Sequence, residues 1–162
     1  ITIKEVSKSE MKRVTQITNK VNKFNLTTKR LDESQILQFI ETNNKIFGIR
    51  LKDKFGDLGL VGVLTTKTVK KHICHIDNFL LSCRALGRKV ENETINFLLS
   101  YLKKNYFTEV KGTFNLSKKN MQAKDFYKNI GFKFDKIQNN WFYDLSNFKY
   151  QTSKIGKVEY IE

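Results

Sequence analysis

Proline is absent from the 162 residues and no low-complexity stretch interrupts them. Nothing therefore reads as an interdomain linker, and a single domain is expected. There are only two cysteines, Cys74 and Cys83, nine residues apart. That is neither a disulfide framework nor a zinc spacing, so reduced thiols in the cytoplasm are expected, and no metal. No apolar run approaches the roughly 20 residues that cross a bilayer, and the N-terminus has no signal-peptide pattern; a membrane is not an expected partner. Acidic residues are scarce, 16 against 30 basic ones, giving a net charge of +14. Lysine outnumbers arginine 25 to 5 and no nucleic-acid-reading motif is present. The charge reads as a lysine-rich solvated surface rather than a nucleic-acid footprint. An acidic protein partner or a phosphate-bearing cofactor also suits it. A gel shift at two salt concentrations would expose any DNA affinity. The chain begins at Ile1 without methionine, so it is expected to be a piece of a longer protein with another domain upstream.

What is present suffices for a core: 40% of the residues are apolar, at a length that supports one ordinary domain. Ser7 with Glu10 forms a capping-box signature ahead of Met11, Val14, Ile17 and Val21 at helical spacing. Asn22 to Arg30, "NKFNLTTKR", reads as a polar connection. Asp32 then starts a second helix with Ile36, Leu37 and Ile40 on one face. Two strand-like runs, 46–51 and 60–65, flank a turn at 53–59 and predict a hairpin. A third strand spans 72–82, and a helix from about Lys89 to Lys104 turns Val90, Ile95, Leu98, Leu99 and Leu102 inward. A strand at 107–114 follows, then a helix from Asn120 through Ile130 that Gly131 ends. Closing strands are expected at 132–135 and 141–145. Residues 1–145 form the expected domain and 146–162 a polar tail. The fold class is a mixed α/β (α+β) single domain, a mixed central sheet flanked by helices.

One stretch concentrates chemistry. In "FLLSCRALGRKVE", 79–91, an apolar strand stops and a helix starts around Gly87, amid Arg84, Arg88 and Lys89. A helix N-terminus presents unpaired backbone N–H groups and positive potential, and glycine lets backbone approach a ligand. The turn suits a phosphate or pyrophosphate. It also reads as a glycine turn with solvated basic side chains.

This turn, together with "NMQAKDFYKNIGFKF" at 120–134, resembles the GCN5-related N-acetyltransferase (GNAT) fold. The family's Gln/Arg-x-x-Gly-x-Gly/Ala motif corresponds to Arg84-Ala85-Leu86-Gly87-Arg88-Lys89, with Lys89 where a small residue is usual. A side chain there either crowds the phosphates or grips them. Four segments in order, "NKFNLTTKR", "DKFGDLGLVGV", "FLLSCRALGRKVE" and "KNMQAKDFYKNIGF", resemble more narrowly the GNAT-like domain of FkbH-like proteins. Those proteins join a haloacid-dehalogenase-like phosphatase domain of subfamily IIIC to it. The resemblance implies an acyltransferase binding coenzyme A, an acyl-CoA, or the phosphopantetheine arm of an acidic acyl carrier protein. It further implies a glyceryl-like acyl group, an upstream phosphatase-like partner domain and a place in bacterial polyketide biosynthesis. A silent module that only docks the carrier protein is the alternative.

The resemblance, and for Asp77 and Cys83 their own position in the chain, give candidate residues. Leu80, Leu81, Ser82, Arg84, Leu86, Gly87, Arg88, Lys89 and Asn120 would contact the cofactor. Tyr127 would protonate the departing thiolate, since a phenol's pKa of about 10 exceeds a thiol's; alternatively it is a core aromatic. Asp77 is a candidate general base, or a solvent-side residue of an alternating strand. Cys83 beside Arg84 is a conceivable thioester nucleophile, or a small apolar residue. Asn25, Thr27 and Arg30 stand in the connection that roofs the acceptor site in this fold, or are capped-turn residues.

Overall fold

The computed structural model describes residues 1–42, 44–150, 153, 155 and 157–161. Its strands are β1 (Thr2–Glu5), β2 (Phe24–Asn25), β3 (Lys45–Asp53), β4 (Gly56–Lys70), β5 (Ile73–Leu81), β6 (Glu109–Gly112), β7 (Lys133–Asp135), β8 (Asn140–Asp144) and β9 (Glu159–Ile161). Its helices are α1 (Met11–Lys20), α2 (Glu33–Glu41), α3 (Val90–Lys104) and α4 (Phe126–Asn129). The sheet runs β7-β8-β6-β5-β4-β3-β1-β9, with β2 paired to β5 beside this path. The β5–β6 and β1–β9 pairs are parallel and the others antiparallel.

Local chemistry explains the start of the first two helices. Ser7 N donates to Glu10 Oε2 at 3.2 Å ahead of α1. Asp32 and Gln35 exchange side-chain and backbone bonds of 2.8 and 3.0 Å at the start of α2; both relieve orphan helix donors. The β3–β4 turn is set by Asp53 Oδ1, which accepts from Phe55 N at 2.7 Å.

The sheet separates two cores. On one face α3 and α4 cover Phe47, Ile49, Val61, Leu64, Ile76, Phe79 and Leu81. On the other, α1 and α2 bring Val14, Ile17, Ile36 and Phe39 against Ile46, Leu60, Val63 and Leu80. All five inward residues expected of α3 are buried. In α2 the buried pair is Ile36 and Phe39, with Leu37 at the flank.

Three elements differ from the sequence reading. The helix expected from Asn120 is broken into a 3-10 turn at Met121–Ala123 and the single turn α4. The tail supplies β9, whose edge pairs with β1; its polar composition carries no strand pattern. The stretch 22–30 is no mere connection, because Phe24 and Asn25 join the sheet.

Candidate active site

Strand β5 carries the site because it loses a neighbour halfway. Its parallel pairing with β6 ends at Ile76↔Gly112. On its other edge Thr65 pairs with Asn78 and Thr66 with Ile76, leaving Asp77 as the extra residue of a bulge. A bulge bends and twists its strand. Beyond it the β6 side of β5, from Asp77 to Leu81, is open to another strand-like partner.

In this structure the chain fills that slot itself. Phe24 pairs with Leu81 and Asn25 with Leu80. Leu26 N donates to Phe79 O at 3.0 Å, Thr27 N to Asn78 Oδ1 at 3.1 Å, and Thr27 Oγ1 to Asp77 O at 3.1 Å. The far edge is held as well: Asn115 N donates to Leu26 O at 2.8 Å and Asn120 Nδ2 to Asn25 O at 2.8 Å. The Phe24 ring stands edge-on to Phe79 and Phe126, with centroids 5.3 and 5.1 Å away. The segment is a strand with two bonded edges and an aromatic anchor.

The sequence candidates fall into three groups around this plug. Asn25, Thr27 and Asn120 are buried and bonded within the chain. Asn25 Oδ1 accepts from Thr28 N at 2.9 Å. Asn120 Oδ1 accepts from Ser117 N at 2.7 Å, while its amide also donates to Asn115 O. These groups hold the plug and present little to a ligand. Arg30 is exposed and donates to Asn22 Oδ1 at 2.8 Å and to the Asn19 carbonyl.

The second group is the turn after β5. Gly87 and Lys89 both have left-handed backbone, φ 75° and 58°, and the amides of Ala85, Leu86 and Arg88 close it internally. Arg88 is drawn away to Asp53, with Nη1 2.6 Å from Oδ2. The Phe55 amide and the Arg88 guanidinium hold the Asp53 carboxyl below its ordinary range. Glu91 and Glu93 occupy the first turn of α3, each with a buried oxygen lacking a partner. Two carboxylates there suit the helix dipole but oppose a second anion. Leu86, Gly87 and Glu91 line a groove of about 260 Å³ between α3 and α4, and Phe24 and Phe126 also line it. Leu80 and Leu81 are buried under the plug.

The third group is the expected proton-transfer set, which the fold disperses. Tyr127 is 1% exposed, among Phe126, Phe132 and Trp141, and its hydroxyl has no partner. Burial pushes the phenol far above its usual range. Asp77 is 5% exposed, and its Oδ1 receives Lys29 Nζ at 2.7 Å and Lys67 Nζ at 2.8 Å. Burial would raise its pKa; the two ammonium groups outweigh this and hold it below the usual carboxylate range. A doubly paired carboxylate is a weak proton acceptor at neutral pH. Neighbouring His75 donates to or accepts from Thr113 Oγ1 at 3.1 Å, and burial lowers its pKa. Cys83 is exposed, whereas Cys74 is buried, with its thiol pushed up to about 12. Among the described residues no group of three or more His, Cys, Asp or Glu gathers as a metal site. No helix among them is long and apolar enough to cross a membrane.

Phe24, Leu26, Asn78, Asn115, Lys29 and Lys67 carry this architecture and were not singled out from sequence. The alternation Phe24-Asn25-Leu26-Thr27 was the available signal for β2. The partners of Asp77 lie 48 and 10 residues away, and no local pattern marks them.

Neither a family model nor a curated protein matches this sequence. Solved structures do match its fold. The Streptococcus mutans UA159 protein smu.2055 aligns over 90% of this chain and 99% of its own, at 21% identity and TM-score 0.66. A GNAT-family acetyltransferase of Staphylococcus aureus Mu50 aligns over 88% and 98%, at 11% identity and TM-score 0.66. A variant of the spermidine N-acetyltransferase SpeG of Vibrio cholerae aligns over 89% and 93%, at 12% identity and TM-score 0.64. At such identities the likeness is one of fold, and the fold of this chain is that of the GNAT acetyltransferases.

Proposed function

We propose that this domain is an acyltransferase that receives a phosphopantetheine thioester, of CoA or of a carrier protein, in the slot beside β5. The observation that supports this best is the plug itself. The open edge of β5 takes an extended guest by backbone bonding, and a pantetheine arm is an extended chain of amides. Residues 24–27 would withdraw before it enters. The Gly87 and Lys89 amides, in the turn that borders the groove by α4, would then hold the phosphates. A bound thioester supplies an activated acyl carbon, and the chain's contribution is alignment. Polyamine is the substrate in the name of the Vibrio enzyme. It suits this chain poorly, since the net charge is +14 and Lys29 and Lys67 already occupy Asp77. The finer reading, a glyceryl group on an acidic carrier protein beside an upstream phosphatase-like domain, rests on the sequence resemblance and on charge complementarity.

The second reading is a non-catalytic module that docks the carrier protein. The sealed Tyr127 hydroxyl and the internally spent Asn120 favour it.

A reversible lock tests the first. Asn25 and Leu80 are directly paired, at a separation that suits a disulfide. Asn25→Cys combined with Leu80→Cys should pin the plug when oxidised. Acetyl-CoA should raise the melting temperature of the reduced protein by several degrees at saturating concentration, and that of the oxidised protein not at all. Absence of any shift in wild-type and reduced protein would sink the thioester reading and leave the docking module.

A further inference from the structure

The turn after β5 has two sides, and only one faces the thioester slot. Leu86 and Gly87 line the groove by α4, whereas Ser82, Cys83 and Arg84 line a second groove against α1. The two share no lining residue. We propose that this second groove binds a small amphipathic organic anion, a phosphate or carboxylate carried on a short apolar body.

Its volume is about 410 Å³, within the usual range of small-molecule sites. The floor is apolar, formed by buried Ile17, Val21 and Leu81. The rim bears Arg13, Lys20, Lys23 and Arg84, and no carboxylate lines the groove. Elsewhere the chain pairs its cations where an acid is near: Arg50 with Glu10, Arg88 with Asp53, Lys29 and Lys67 with Asp77. None of the four rim cations makes an ion pair with a described carboxylate. A further group points to a ligand. Ser82 Oγ is buried without a hydrogen-bond partner, a state that native hydroxyls rarely keep. An anionic head would accept from it while meeting the rim cations. Concavity and an apolar floor favour a small molecule over an acidic protein segment. Exposed charges alone bind weakly, so head and tail must both contribute.

Calorimetric titration of the 162-residue chain with hexyl phosphate, hexanoate, inorganic phosphate and hexanol tests this. Hexyl phosphate or hexanoate should bind at least about ten-fold more tightly than inorganic phosphate or hexanol, and the better of the two identifies the head group. Lys20→Gln with Lys23→Gln, and separately Arg84→Gln, should each weaken that binding about ten-fold or more. Ser82→Ala should weaken it several-fold, and Lys71→Gln, in the β4–β5 turn, should leave it unchanged. The proposal is overturned if inorganic phosphate binds as tightly as hexyl phosphate, if Lys71→Gln costs as much as the rim variants, or if no amphiphile binds. Binding of a glutamate-rich peptide through the same four cations, with neither amphiphile binding, would also overturn it in favour of an acidic protein partner.

Discussion

Tyr127 and Gly112 form one unit at the scale of single residues. A Cβ on Gly112 would lie 2.4 Å from the Tyr127 ring and hydroxyl, so glycine in β6 is what admits the phenol. Gly112→Ala should destabilise by about 2 kcal/mol or more, since neither strand nor ring has room to yield. The hydroxyl itself is buried and unpartnered, and removing a lone buried polar atom is neutral or favourable. Tyr127→Phe is therefore expected to melt at or above the wild-type temperature. Measured beside acyl transfer from acetyl-CoA, the same variant separates the two functional readings. A stable variant with a large fall in kcat assigns the phenol to chemistry, and one with unchanged turnover assigns it to the core.

At the scale of elements, the junction of β5 and α3 was read correctly from sequence as a strand, a turn and a helix start, because polarity and period change sharply there. Its strain was not. Lys89 caps α3 in a left-handed conformation, φ 58° and ψ 20°, which costs a non-glycine residue about 1–2 kcal/mol. Lys89→Gly should relieve roughly 1 kcal/mol of this, offset in part by unfolded-chain entropy, and raise the melting temperature by about 2–4 °C. An unchanged or lower melting temperature would mean that the lysine side chain makes a compensating contact. Strand β2 shows the opposite case. Only two of its residues pair, and the short alternation around them was read as a polar connection, yet both are buried because β5 parts from β6 beyond Ile76 and leaves an edge to be satisfied. Truncating its anchor, Phe24→Ala, belongs among core deletions costing about 3–5 kcal/mol.

For the whole molecule, acid should be more damaging than the net charge alone suggests. Burial by itself would raise the Glu10 carboxyl, but Arg50, Ser7 and Lys4 outweigh it and bring the pKa from 4.5 to about 2. Because the folded value lies below the ordinary one, the stabilisation is complete above pH 4.5 and is lost as pH falls toward 2. Asp77 acts in the same sense, its pKa also being lowered. Thermal melts across that window should show a falling melting temperature, with a shallower fall in Glu10→Gln; equal slopes would exclude the Glu10 network as a cause. The sequence by itself determined α1, α2 and α3, the hairpin, the strand-turn-helix junction and hence the fold class, since periodicity, caps and glycine act over a few residues. It also singled out Asp77 as a carboxylate in mid-strand, and Asn120 and Tyr127 through the family resemblance. Only the tertiary structure decided what surrounds them. Lys29 and Lys67 converge on Asp77, Asn25 and Asn115 consume Asn120, three aromatic rings enclose Tyr127, and residues 24–27 enter the slot. The physical reason is that Lys29, Asn25 and Trp141 come from distant segments brought together where β5 bulges and parts from β6, a geometry that short-range pattern does not encode.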